Sequence, residues 1–328
     1  MKRVFPFAIL LAVVLMLPLA CSLRDNGSAP TETAVSEPAA SELAASEPAA
    51  SEPAASEPAA ARLKGFEMAV TYPSRGICVH AAVNMPAREA GESLPLAVIL
   101  HGHGGSNEGL CYIARALQNA GVASIRMDFS GCGASEESFT ENNLTNMKLD
   151  ALAAIAYMEG EYGTDPSRVA FIGFSMGGRV ALELVADGSA APYKLMLIAP
   201  AASTKELINL FGGETAWDRM KREAGENGAA EFDAGVIQQL GPEFFAAIER
   251  VEDPTEKAAE RFSGDALVIW SRDDTIVPAY VSENVAQKLS ARTLVFDFGG
   301  HLNGLYAGSA DPALKRMIEE ALLLFAGE

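Results

Sequence analysis

From residue 66 the chain alternates apolar and polar stretches with two periods. "FEMAVTYP" (66–73) and "ICVHAAVNMP" (77–86) have strand character and are close enough to predict an antiparallel entry hairpin. After them short apolar runs interleave with helix-like stretches. The runs are "LAVIL" (96–100), "VASIRMDF" (122–129), "RVAFIGF" (168–174) and "KLMLIAP" (194–200), with helices predicted around 108–120, around 143–160 and from 176. Strands with apolar residues at successive positions are buried on both faces, and their alternation with helices predicts parallel strands joined by crossover helices. The alternation fails over 203–262, which shows amphipathic stretches and no convincing strand. It resumes with "ALVIW" (266–270), a helix around 280–290, "TLVFDF" (293–298) and a last helix from 312. The expected fold is therefore α/β, a mostly parallel sheet flanked by helices, with an inserted helical cap at 203–262. Phe211, Trp217, Phe232, Phe244 and Phe245 fall in the cap; most are expected to form its own small core and the remainder to face a pocket.

Residues 1–61 follow neither period. "MKRVFPFAILLAVVLMLPLACS" sets two basic residues before a short apolar run and a small residue before Cys21, the layout of a secretory signal over 1–20. It resembles a bacterial lipoprotein signal in Leu19, Ala20 and Cys21, with Pro18 where an aliphatic residue is usual; the resemblance implies lipid on Cys21. Residues 28–61 repeat "SEPAA" with a period of five, a composition that cannot bury enough surface to fold, so 21–61 is expected to be an extended tether. On this reading the protein is exported, held on a membrane only by the anchor, and its folded domain spans 62–328.

Charge excludes one class of partner. The chain carries a net −18, of which −4 lies in residues 1–61, and no basic cluster relieves it, so a nucleic-acid backbone is repelled. Without Cys21 the cysteines are Cys78, Cys111 and Cys132, an odd number that allows at most one internal disulfide. Cys132 is read as a free thiol, with pairing to Cys111 as the alternative. No spacing resembles a zinc site, and no metal is expected.

The candidate chemistry begins at "GFSMGG" (173–178), where Ser175 sits between an apolar run and a helix-like stretch with Gly173 and Gly177 two places to either side. A serine on such a turn is exposed beside a helix N-terminus. Its hydroxyl needs a base, and the base needs an orienting acid. His301 in "FDFGGHLNG" follows the last strand on a glycine-rich loop and is the expected base. "VIWSRDDTIVP" offers Asp273 and Asp274 at a strand end. An oxyanion needs two backbone N–H donors, here assigned to Met176 and to His103 in "LHGHGGSN". His101 is read as a structural loop residue and His80 as a strand-surface one.

With Ser, Asp and His in that order, residues 64–328 resemble the α/β-hydrolase fold. "RMDFSGCGASEESF" (126–139) is similar to bacterial feruloyl and cinnamoyl esterases, and "DPSRVAFIGFSMGG" (165–178) to these and to acyl-peptidase-like hydrolases. Cys132 stands where those esterases often carry His. In hydrolases of this kind the acid is commonly followed, after two residues, by an aliphatic residue and Pro, which "DTIVP" provides from Asp274. The resemblance implies a Ser175–His301–Asp274 triad cleaving carboxylic esters of small molecules without a cofactor, hydroxycinnamate esters being one candidate class. An acyl-peptidase or aminopeptidase on the same triad is the alternative. A non-catalytic surface binding protein would have no need of all three residues.

Overall fold

The computed structural model describes residues 62–302 and 304–326. The signal segment, Cys21 and the repeat tether lie outside the described residues. In chain order, β1 (Arg62–Leu63), β2 (Phe66–Ser74), β3 (Ile77–Met85) and β4 (Arg88–Glu89) come first. β5 (Leu96–Leu100), α1 (Cys111–Asn119), β6 (Ala123–Met127), α2 (Leu144–Tyr162), β7 (Val169–Phe174), α3 (Met176–Ala186) and β8 (Lys194–Ile198) then alternate strand with helix. The insertion holds α4 (Thr204–Leu210), α5 (Glu214–Asn227), β9 (Ala230–Asp233), β10 (Ile237–Leu240), α6 (Pro242–Glu249) and α7 (Thr255–Arg261). β11 (Asp265–Ser271), α8 (Ala279–Lys288), β12 (Arg292–Phe296) and α9 (Pro312–Phe325) complete the chain.

The main sheet has eight strands in the order β12-β11-β8-β7-β5-β6-β3-β2. The six from β12 to β6 are parallel, and β3 and β2 add antiparallel at one edge, with Phe66 opposite Met85 and Ser74 opposite Ile77. Alternate residues of each central strand feed two separate cores. In β5, Leu96, Val98 and Leu100 join Val180 and Leu184 of α3 and Met147 of α2. Ala97 and Ile99 join Ile113 of α1 and Leu314 and Met317 of α9. Burial on both faces is the reason these strands read as unbroken apolar runs. The chain steps from β5 to β6 on one side and then to β7 on the other, so the loops after β5 and β7 face each other across the point where strand order reverses, a place where open α/β sheets bind ligands.

The insertion between the neighbouring strands β8 and β11 departs from expectation in one respect. It is not wholly helical: β9 and β10 form an antiparallel hairpin with Phe232 opposite Gln238 and Ala230 opposite Leu240. Its sequences, AEFD and IQQL, are four residues each and rich in Glu, Asp and Gln, which strands disfavour. Pairing is sustained by burial of alternate side chains under the cap, a tertiary effect with no local signature. The cap aromatics form one cluster, with Phe211 to Phe232 ring centroids at 4.5 Å, Phe211 to Phe244 at 5.2 Å and Trp217 to Phe245 at 4.9 Å.

Candidate active site

The turn from β7 to α3 is strained at one residue. Ser175 has φ 54 and ψ −114, outside the regions that non-glycine residues favour, at a cost of roughly 1–3 kcal/mol that the surrounding structure must hold. Three backbone bonds hold it: Ser175 N–H donates to Ile198 O at 2.9 Å, and Ser175 O accepts from Ala201 at 3.0 Å and Arg179 at 3.2 Å. The flanking glycines answer to crowding. A Cβ on Gly173 would lie 2.6 Å from Gly178 Cα, and one on Gly177 would run into the Leu100 carbonyl.

Asp274, after β11, and His301, after β12, meet across adjacent strand ends. His301 Nδ1 lies 2.8 Å from Asp274 Oδ2, and both side chains are buried. Asp274 Oδ1 accepts the backbone N–H of Ile276 at 2.8 Å and of Val277 at 3.0 Å, so both carboxylate oxygens are engaged and the group cannot swing away. With Oδ2 accepting, Nδ1 carries the proton and Nε2 is left as the basic nitrogen. Asp273 faces elsewhere: its Oδ1 accepts from Gly300 N–H at 2.9 Å and its Oδ2 from Gly299 N–H at 3.4 Å. It tethers the backbone just before His301. The Phe174 ring packs against the His301 ring, tilted by 39° with centroids 4.9 Å apart.

The loop after β5 supplies the facing wall. No acceptor among the described residues takes the backbone N–H of His103 or Met176, and both residues line the cleft with Ser175. The loop is braced by Asp128, whose Oδ1 accepts Asn107 N–H at 2.6 Å and whose Oδ2 accepts Asn107 Nδ2 at 2.7 Å and Ala134 N–H at 2.9 Å. His101 adds a second brace: its Nδ1 donates to Gly102 O at 2.7 Å and its Nε2 accepts Phe129 N–H at 3.1 Å. Both nitrogens are thus engaged with backbone, and burial lowers the pKa, so the ring is a neutral strut. His80 is half-buried on β3 and stands apart from the site. Cys132 is a free, buried thiol held at 3.4 Å by Asn142 Nδ2, and burial pushes its pKa up to about 12, which leaves it an inert filler of that loop.

A cleft with about 900 Å³ of empty space, counted out to its mouth, opens above these loops. Ser175, Met176, His103 and His301 line its floor. Leu207, Leu210, Phe211, Phe232 and Ala234 line the cleft from the cap, and Ile276, Val277, Leu302 and Tyr306 from the loops after β11 and β12. Of the five cap aromatics only Phe211 and Phe232 reach the cleft; Trp217, Phe244 and Phe245 are core.

Four contributors were not read from the sequence. Asp128 had a signal, an acid at a strand end before a Gly-rich loop. Tyr306, a half-buried phenol whose pKa burial pushes up to about 12, lies beyond the last strand in a loop without pattern. Gln238 sits in the unrecognised hairpin. Arg179, one turn into α3 and fully buried, joins floor to cap. Its guanidinium bonds Glu183 Oε1 at 2.9 Å, Ala202 O at 3.0 Å, Thr204 Oγ1 at 3.0 Å, Ile248 O at 3.2 Å and Val251 O at 2.6 Å.

Comparison with known proteins agrees with this architecture. Residues 97–313 match the family described as the alpha/beta hydrolase family, and the chain belongs to it. An uncharacterized protein of Mycobacterium tuberculosis is 26% identical over 196 residues, covering 60% of this chain; the chain spans 58% of that relative's length. NocK of Nocardia uniformis subsp. tsuyamanensis, which carries the provisional name of an esterase, is 35% identical over 127 residues, 37% of this chain and 36% of its own. Among solved structures, Est1E from Butyrivibrio proteoclasticus with ferulic acid bound superposes with a TM-score of 0.63 at 21% identity, covering 78% of this chain and 97% of that one. At that identity the likeness concerns the fold.

Proposed function

We propose that the protein is an exported serine hydrolase of carboxylic esters, with Ser175 as nucleophile, His301 as base and Asp274 as the orienting acid. The observation that carries this reading is the 2.8 Å bond from His301 Nδ1 to Asp274 Oδ2, beside a strained Ser175 in the same cleft. His301 Nε2 removes the Ser175 proton as Oγ attacks the ester carbonyl, and the imidazolium that forms is stabilised by the Asp274 charge. The negative charge on the carbonyl oxygen is taken by the N–H groups of His103 and Met176, the latter at the N-terminus of α3. His301 then protonates the leaving alcohol, and water repeats the cycle on the acyl-enzyme.

The walls support esters with an apolar acyl group, since Phe211 and Phe232 offer flat surfaces. Hydroxycinnamate esters are the class to try first, given the motif at 126–139 and the ferulic acid bound by Est1E. Export and lipid attachment at Cys21 rest on the N-terminal sequence, and the repeat that follows acts as a spacer. Nitrophenyl acetate and cinnamate screened beside aminoacyl nitroanilides test the reading. Hydrolysis of the esters with the cinnamate favoured is expected; turnover of the anilides alone would replace an esterase by a peptidase.

A further inference from the structure

Gln238 breaks the binary pattern of its strand. In the β9–β10 hairpin the buried face takes Ala230, Phe232 and Leu240 together with Gln238, which is 6% exposed, whereas the neighbouring Ile237 points outward at 58%. A one-residue slip of the register would bury the isoleucine and free the amide. The observed arrangement therefore gives up apolar burial, and an amide enclosed without partners is destabilising.

Half of that amide is accounted for. Gln238 Oε1 accepts from His103 Nε2 at 2.8 Å. The imidazole is packed among the rings of Phe139, Phe211 and Phe244, with centroids 5.3, 5.6 and 5.7 Å away, and burial lowers its pKa to about 4, so it is a neutral, immobile donor. With the proton on His103 Nε2, the end of the carboxamide that meets the ring is Oε1. The other end, Nε2, lies over Gly104, where an added Cβ would stand 3.0 Å from it. Its two N–H groups find no acceptor among the described residues, although the side chain lines the cleft.

Geometry also assigns the side of the cleft. The leaving alcohol must receive its proton from His301, so it lies toward His301, and the acyl group lies toward the oxyanion loop and cap. Gln238 stands on that acyl side. We infer that Gln238 Nε2 is a specificity donor that hydrogen-bonds an acceptor oxygen within the acyl group, so that the preferred esters carry an ether or carbonyl oxygen beyond the ester itself. The inference rests on the esterase reading and sharpens it: the acyl pocket is apolar with one fixed donor.

Nitrophenyl hexanoate and its 4-oxa and 5-oxa analogues test it, because they match in length and leaving group. Wild-type enzyme should favour at least one oxa ester by tenfold or more in kcat/KM. Gln238→Met should bring the ratio close to one, the oxa esters losing tenfold or more in kcat/KM beyond whatever the hexanoate loses, the behaviour of a binding contact to one substrate class. Gln238→Glu keeps an oxygen for His103 and removes the donor, and should lose the preference as well; it also serves if the methionine variant does not fold. Equal kcat/KM for all three esters in the wild type overturns the inference while leaving the esterase reading intact. So does a uniform loss across the series in both variants, which would make Gln238 a prop of the oxyanion loop. Absence of ester hydrolysis altogether would instead remove the reading beneath it.

Discussion

The floor and the cap of this cleft are held together by different physics. The floor is a set of loops at the ends of β5, β6, β7, β11 and β12, each fixed by short polar bonds to backbone: Asp274 to Ile276 and Val277, Asp128 to Asn107 and Ala134, His101 to Gly102 and Phe129. The cap is an aromatic cluster whose members touch through ring faces and edges; its buried polar attachments run through Arg179 and the His103–Gln238 bond, and at the periphery Thr145 bonds Glu243 at 3.1 Å, Arg250 bonds Thr145 at 2.7 Å and the Tyr280 hydroxyl meets Glu206. Hydrogen bonds with two fixed ends specify position to a few tenths of an ångström; ring packing specifies an enclosed volume. Under the proposed function, the contrast assigns rate to the floor and choice of substrate to the cap.

The largest effect that tests this division is Asp274→Asn. It preserves shape but removes the charge that stabilises the His301 imidazolium, and kcat should fall on the order of 10³ to 10⁴ with little change in KM. A comparable rise in KM with kcat kept would mean that the floor binds rather than reacts. Arg179→Met probes the junction. It removes the guanidinium donor from Thr204 Oγ1 and from the Ala202, Ile248 and Val251 carbonyls and leaves Glu183 with the Lys148 ammonium at 3.3 Å, so unfolding free energy should drop by roughly 3–5 kcal/mol in urea titration. A loss below about 1 kcal/mol would show that Arg179 does not hold the cap to the floor.

Acid should weaken the junction in a defined window. His103 and His101 have folded pKa values below the ordinary 6.5, that of His103 at about 4, because burial disfavours the charged ring. Between about pH 6.5 and 4 the unfolded chain binds protons that the folded chain refuses, so stability declines as pH falls through this range, by on the order of 3 kcal/mol for His103 in full. His103→Gln should flatten the decline between pH 7 and 5; an unchanged slope would place its origin elsewhere. The smallest effect expected is that of Asp273→Asn. An amide oxygen can still accept from Gly300, so kcat should change less than about tenfold.

The same contrast explains what could be read from residues alone. The six parallel strands lie within one or two residues of where the apolar runs predict them, because burial on both faces leaves no other composition open to them. The elbow at Ser175 was legible because Gly173 and Gly177 answer a steric demand that few other sequences meet. Asp273 and Asp274 could be told apart only through resemblance; their opposite orientations are a property of the loop after β11. The cap was the least legible part. Its hairpin has strand-disfavouring composition, and Gln238 reads as a surface residue until tertiary packing turns it inward. A residue that joins two elements, such as Arg179, leaves no mark in the pattern of either element alone.

The central claim, that Ser175 is an activated nucleophile, is tested most directly by incubating the intact protein with a fluorophosphonate and identifying the modified peptide by mass spectrometry. The account predicts one stoichiometric adduct on Ser175, loss of ester hydrolysis in parallel with labelling, and labelling slowed on the order of 10³-fold or more in Asp274→Asn. An unlabelled Ser175 in protein that still hydrolyses esters, or labelling indifferent to Asp274, would contradict it.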